Sequence, residues 1–157
     1  MWVPPEEKDP IVLHAPTRKS VALFGAVNVR TGQLVTMLIP QFDAETFEVF
    51  MTILLRHCSR SRRMVVVLDN ARYHHAQQSR LFFREHRRQL HLDFLPPYSP
   101  ELNPIERVWK LLRTCATHNQ YFAELEDLLA AVTKQLIAWG KPNTVLARLC
   151  RLVPAIP

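Results

Sequence analysis

The sequence predicts an α/β fold in which a mixed, partly parallel sheet is flanked by helices. Three features lead to this prediction: two β-rich stretches separated by a turn, a continuous apolar run, and segments of helical periodicity that alternate with them. With 157 residues, the chain is long enough for one domain with its own core and too short for two ordinary domains. We therefore predict a single domain over residues 1–157, with an irregular lead segment over 1–19.

The predicted elements follow in the order strand, strand, helix, strand, helix, strand, helix, helix, with a last short helix after them. Thr31-Gly32 separates the first two strands and predicts a hairpin. The run at 64–68 does not alternate in polarity, which predicts a strand buried on both faces in the middle of a sheet. The predicted strands span 21–29, 34–39, 64–68 and 90–95. The predicted helices span 43–58, about 76–88, about 104 onward, 124–139 and 143–151. In the first of them, Asp43 is the predicted N-cap and Phe47 begins the apolar face.

Composition and charge narrow the class of protein. Apolar residues make up 48% of the chain, which is typical of a globular protein rather than a disordered one. The net charge of +6 points weakly to nucleic acid, because phosphate contacts supply most non-specific DNA affinity. The three cysteines form no CxxC pair, so we expect neither a disulfide framework nor a cysteine zinc site. The sequence has no apolar stretch of about 18 residues and no signal-peptide pattern, so we predict a cytoplasmic protein without membrane contacts.

Two carboxylates lie where the predicted elements would present them to a ligand. Asp69 directly follows the strand at 64–68, and functional groups of α/β sheets gather at the carboxyl ends of strands. Glu106 lies in the first turn of the helix that begins near Pro104. Each carboxylate also has an ordinary structural explanation: Asp69 as a turn residue, and Glu106 as a surface group that pairs with Lys110.

The pair together favours metal-dependent chemistry on phosphodiesters. Such chemistry uses two hard cations held by oxygen ligands, one activating the nucleophile and one stabilising the leaving oxygen. The segment 96–104 contains four prolines, so a stiff loop fixes where the helix of Glu106 begins. Trp109, three residues further on, is predicted to pack in the core.

Two motifs resemble the insertion-sequence transposases of the mariner-like superfamily. The first is VVVLDNARYH at 65–74, and the second is LPPYSPELNPIE at 95–106, followed by Val108-Trp109. The segment 17–20 and the hairpin after it also resemble that family, so the resemblance covers nearly the whole chain.

The resemblance implies a ribonuclease-H-like mixed sheet and a triad of acids that binds Mg²⁺ or Mn²⁺. Asp69 matches the second acid and Glu106 the third, a position that the motif favours over Glu101. It implies hydrolysis at transposon ends followed by strand transfer to target DNA, in a bacterial-type, nucleoid-associated protein. Asn70 and His74 are expected to line the site, and a purely local structural role is the alternative for His74.

The first acid of the family has no counterpart in this sequence. It would precede a segment that Trp2-Val3-Pro4 resembles, so the resemblance predicts that the first central strand is missing and the two-metal site is impaired. Residues 11–14 either fill that gap or leave the sheet split. The alternative function is a catalytically inactive remnant that acts as a DNA- or transposase-binding module.

Two groups of arginines are candidates for contacts with DNA phosphates, with a solvated surface as the alternative. The leucine stripe of 125–136 is predicted to pack in the core, and a homodimer seam is the alternative. The arginines predicted to bind DNA are Arg60, Arg62, Arg63, Arg84, Arg87 and Arg88.

Overall fold

The computed structural model describes residues 22–58 and 62–151. Within these ranges the chain forms a mixed α/β arrangement of two small sheets and five α-helices. The strands are β1 (Ala22–Val27), β2 (Leu34–Ile39), β3 (Met64–Leu68) and β4 (Leu90–Phe94). The helices are α1 (Ala44–Leu55), α2 (Arg80–Glu85), α3 (Pro104–Ala116), α4 (Leu125–Trp139) and α5 (Thr144–Leu149). None of the helices in these ranges is long and apolar enough to cross a bilayer.

The predicted hairpin is confirmed. β1 and β2 pair antiparallel, in a register that runs from Val27 opposite Leu34 to Ala22 opposite Ile39. Gly32 closes the turn with a φ of +69°, in the left-handed region that favours glycine. The backbone amide of Asn143 donates to the Thr31 carbonyl at 2.8 Å, so the turn also docks on the start of α5. A Cβ at Gly32 would overlap the backbone of that helix start. The turn therefore requires glycine both for its positive φ and for this close approach.

The second sheet is parallel, as the order of the predicted elements requires. β3 and β4 pair in register from Met64 opposite Leu90 to Leu68 opposite Phe94. The two sheets are separate within the described residues. The segment 11–14, proposed to bridge such a gap, lies outside the described residues, as do 1–19 and the segment Trp2-Val3-Pro4.

Two hydrophobic clusters hold these elements together, and the hairpin contributes to both. Phe24 and Ile39 join a cluster with α1, β3 and β4, whereas Leu34 joins a cluster with α3, α4 and α5. Helix α1 begins at the predicted N-cap, Asp43, which accepts from the Thr46 amide in a capping box. The leucine stripe of α4 contributes Val132 and Leu136 to the second cluster, as predicted for core packing.

The prediction that β3 is buried on both faces is wrong for the described part of the chain. Leu68 packs in the core beside α1, and Val66 packs against it. Val65 and Val67 point the other way and are 56% and 42% exposed. Helices α3 and α4 pack against β1 and β2, so their apolar faces cover the hairpin. A continuous apolar run reports the composition of a strand and not what covers each face.

The helix predicted at about 76–88 is shorter and begins later. Two 3₁₀ turns, Arg72–His75 and Gln77–Ser79, precede α2. Ala76 between them has an extended backbone (φ −60°, ψ 133°), which interrupts helical hydrogen bonding. The first helix likewise ends at Leu55 rather than near Cys58.

Candidate active site

Asp69 lies immediately after β3, at the carboxyl end of the parallel sheet, and its side chain is 64% exposed. Two hydrogen bonds hold the end of the neighbouring strand, β4, beside Asp69. The amide of Leu95 donates to the Leu68 carbonyl at 2.9 Å, and Nδ2 of Asn70 donates to the Leu95 carbonyl. Asn70 therefore fixes the start of the proline loop beside Asp69.

His74 holds the carboxylate of Asp69 in place. Its Nδ1 lies 3.1 Å from Oδ1 of Asp69 and 2.9 Å from the Asp69 carbonyl oxygen. The amide of Ala71 also donates to Oδ1, at 3.2 Å. The two contacts to the carboxylate both run to Oδ1, so the rotamer of Asp69 is set while its exposed side remains open to a ligand.

The surroundings of His74 favour a neutral, rigid ring. Its side chain is only 8% exposed and packs between Phe47 and Tyr73, with ring centroids 4.5 and 4.4 Å away. Burial lowers the pKa of His74, although the carbonyl and carboxylate of Asp69 oppose that shift. We therefore read the contact with Asp69 as a hydrogen bond from a neutral imidazole rather than an ion pair. Burial, and secondarily the charge of Asp69, raises the pKa of Tyr73 to about 12, so its phenol is neutral too.

His74→Ala is expected to lower the free energy of unfolding by about 2 kcal/mol, because it opens a cavity against Phe47 and removes the donor to Asp69. His74→Asn can place an amide near the position of Nδ1 and is expected to lose about half as much. Urea denaturation of both variants measures the difference. Equal losses would show that the packing of the ring matters and the hydrogen bond does not.

Glu106 is presented by the start of α3, as predicted. Asn103 caps the helix by accepting from the Ile105 amide, and Pro104 occupies the first turn. Glu106 is exposed and, among the described residues, forms no ion pair with Lys110. The surface pair proposed as its structural alternative is therefore not present.

The entry of α3 is fixed by a contact that the sequence analysis missed. The ring of Trp109 lies over Gly25 of β1, so closely that a Cβ at Gly25 would overlap its Cζ2 and Cη2 atoms. Val108 beside it is completely buried. A lone glycine in an apolar strand was the only signal in the sequence, and it indicates a close approach by some neighbour without saying which.

Direct contacts join Asp69 and His74, and the Asn70 side chain contacts Leu95 and His75, but no hydrogen bond or ion pair joins Asp69, Asn70 or His74 to Glu106. In the ranges 22–58 and 62–151 no three His, Cys, Asp or Glu side chains are grouped so as to hold a metal ion. The carboxylate oxygens have the hard donor character that Mg²⁺ and Mn²⁺ prefer. The donors fit such an ion in kind, but their number is short of a complete ligand set.

The predicted DNA-binding arginines fall into three cases. Arg84, Arg87 and Arg88 line an open depression on the surface around α2, together with Glu85. The guanidinium of Arg63 donates to the Leu90 carbonyl at 3.4 Å, and Arg62 is exposed. Arg60 lies outside the described residues.

The fold and the site define a mixed α/β protein that presents acidic side chains from the end of a parallel strand and the start of a helix. The family described as DDE superfamily endonuclease matches residues 1–129, and the chain belongs to this family. The chain is also similar to the uncharacterized protein y4pE/y4sA of Sinorhizobium fredii. The two are 32% identical over 119 residues, which cover 76% of this chain and 82% of that protein.

Proposed function

We propose that this chain is the catalytic domain of a mariner-like insertion-sequence transposase with a ribonuclease-H-like fold. Its substrates are transposon ends and target DNA, on which it performs phosphodiester hydrolysis and strand transfer. The observation that carries the proposal is the exposed carboxylate of Asp69, held at the end of β3 by a buried histidine in a DDE-family chain. A side chain that is both rigidly held and open to solvent is typical of a site rather than of a turn.

Asp69 and Glu106 are the residues to which we assign Mg²⁺ or Mn²⁺ binding. When bound, such ions activate a nucleophile and stabilise the leaving oxygen. The protein orients Asp69 through His74 and fixes the entry of Glu106 through the Asn103 cap and the Trp109 contact. Because two carboxylates are fewer ligands than a two-metal site uses, we expect weak metal affinity from these residues alone.

The arginines of the α2 depression are the strongest candidates for contacts with DNA phosphates. Arg84, Arg87 and Arg88 are exposed and line one open depression, whereas the Arg63 guanidinium already donates to a backbone carbonyl. Several cations on one surface attract the DNA backbone regardless of sequence. This proposal places the DNA path alongside α2.

A second candidate function is a catalytically inactive module that binds DNA or another transposase molecule, including a second copy of this chain. The observation that favours it is that, in the described ranges, no three His, Cys, Asp or Glu side chains are grouped so as to hold a metal ion. The exposed face of β3 around Val65 and Val67 supplies an apolar surface that such a contact could use.

Nicking of supercoiled plasmid distinguishes the two candidates. The transposase proposal predicts conversion to open circles in Mn²⁺, less in Mg²⁺ and none with EDTA. The binding-module alternative predicts retarded DNA on a native gel with no metal-dependent nicking. A protein that neither retards nor cuts DNA at low salt would contradict the transposase proposal and the DNA-binding form of the alternative.

A further inference from the structure

Tyr98 protrudes from the proline loop in a way that the proposed chemistry does not use. The residue is 101% exposed, so none of the described residues packs on its ring. It is also one of only two non-glycine residues with positive φ in the described ranges, at +57°. A large aromatic residue that is neither packed nor in a relaxed backbone conformation contributes little to the stability of the fold.

The backbone conformation of Tyr98 is unfavourable for this residue type. Glycine and asparagine adopt the left-handed region at low cost, whereas a residue with a bulky Cβ substituent does not. The strain persists because the surroundings fix the loop: Pro96, Pro97 and Pro100 restrict it, and the Ser99 hydroxyl donates to the Pro97 carbonyl at 3.3 Å. Strained, over-determined conformations of this kind concentrate at ligand-binding positions.

Both ends of the loop are tied to the candidate active site. At one end, Leu95 is hydrogen-bonded to Leu68 and Asn70 beside Asp69. At the other end, Asn103 caps the helix that carries Glu106. Tyr98 is three residues beyond Leu95, so its Cα lies within about 11 Å of the Leu95 Cα. The loop that carries the ring is therefore anchored at the strand end that carries Asp69.

We propose that Tyr98 is a stacking platform for an unpaired nucleobase of the DNA substrate next to the cleavage site. This inference rests on the proposed function, because it takes DNA as the ligand. The chemistry matches: a nucleobase freed from the duplex exposes a flat π-face, and exposed aromatic side chains bind such faces with little sequence preference. The stiff loop holds the ring in place before binding, so little conformational freedom is lost when a base stacks on it.

The test compares the affinity of the full chain for a blunt duplex with its affinity for the same duplex carrying a three-nucleotide single-stranded overhang, by fluorescence anisotropy. The parent is expected to prefer the overhang, and Tyr98→Phe to keep that preference. Tyr98→Asn is the matched control, because asparagine tolerates the positive φ but has no ring. It is expected to bind the overhang about 5- to 150-fold more weakly and the blunt duplex unchanged.

A 2-aminopurine placed in the overhang gives a spectroscopic readout of stacking, because stacking on a ring quenches its emission. Quenching by the parent and Tyr98→Phe, but not by Tyr98→Asn, supports the proposal. Equal overhang affinity and equal quenching for the parent and Tyr98→Asn would overturn it while leaving DNA binding intact. A change in self-association of Tyr98→Asn instead of its overhang preference would reassign Tyr98 to a protein contact. If the parent binds neither DNA, the proposed function fails together with this inference.

Discussion

Asp69→Asn and Glu106→Gln are each expected to reduce metal-dependent nicking by on the order of 100-fold or more. Both substitutions keep the shape of the side chain and remove the negative charge that a divalent cation requires. Because both side chains are exposed, the thermal midpoint should change little, so a loss of nicking would not reflect unfolding. The measurement is the rate of plasmid nicking in Mn²⁺, with circular dichroism of each variant alongside.

Glu101→Gln is the matched control for this pair. Glu101 is an exposed carboxylate in the same loop, five positions before Glu106, within the 3₁₀ turn Pro100–Leu102. Its nicking rate should equal that of the parent. Loss of nicking in Glu101→Gln but not in Glu106→Gln would move the third acid to Glu101. Equal nicking by the parent and by both site variants would show that the cleaving site lies elsewhere.

Metal binding gives a readout that does not depend on turnover. A cation that binds only the folded protein raises the thermal midpoint as its concentration increases. Mn²⁺ is expected to produce a small upward shift in the parent and in Glu101→Gln, and none in Asp69→Asn. This comparison tests the carboxylate even if the chain proves to be a binding module without nuclease activity.

Local features of the fold were predictable from the sequence because their causes are local. The hairpin turn follows from Thr31-Gly32, and the start of α1 follows from Asp43 as a cap. The partly parallel pairing of β3 and β4 follows from a helical segment between two apolar stretches. The position of Asp69 at a strand end follows from the same reasoning, since the residue directly succeeds the run at 64–68.

Features that depend on distant parts of the chain were not predictable. The exposure of Val65 and Val67 depends on where α3 and α4 pack. The apolar stripes of these two helices do not indicate which strands the helices cover. The contact of His74 with Asp69 depends on Phe47, because the Phe47 ring packs against the imidazole. Phe47 lies on α1, and the sequence identifies it only as part of an apolar face. The exposure of Tyr98 arises because no described residue from a distant part of the chain packs on it, which no local pattern encodes.

The contact between Gly25 and Trp109 is the clearest long-range determinant of where Glu106 lies, and it can be tested by a double-mutant cycle. Gly25→Ala is expected to lower the free energy of unfolding by about 2 kcal/mol, because the added methyl overlaps the indole and the core must shift. Trp109→Phe removes the Cζ2 and Cη2 atoms that the methyl would meet, at a cost of its own from lost packing. In the double variant the methyl can occupy part of the vacated space. We therefore expect the double variant to be at least about 1 kcal/mol more stable than the sum of the single effects implies.

Urea denaturation of the four proteins measures this coupling. Additive losses would mean that α3 is anchored by Val108 and its neighbours rather than by the close approach of the indole to β1.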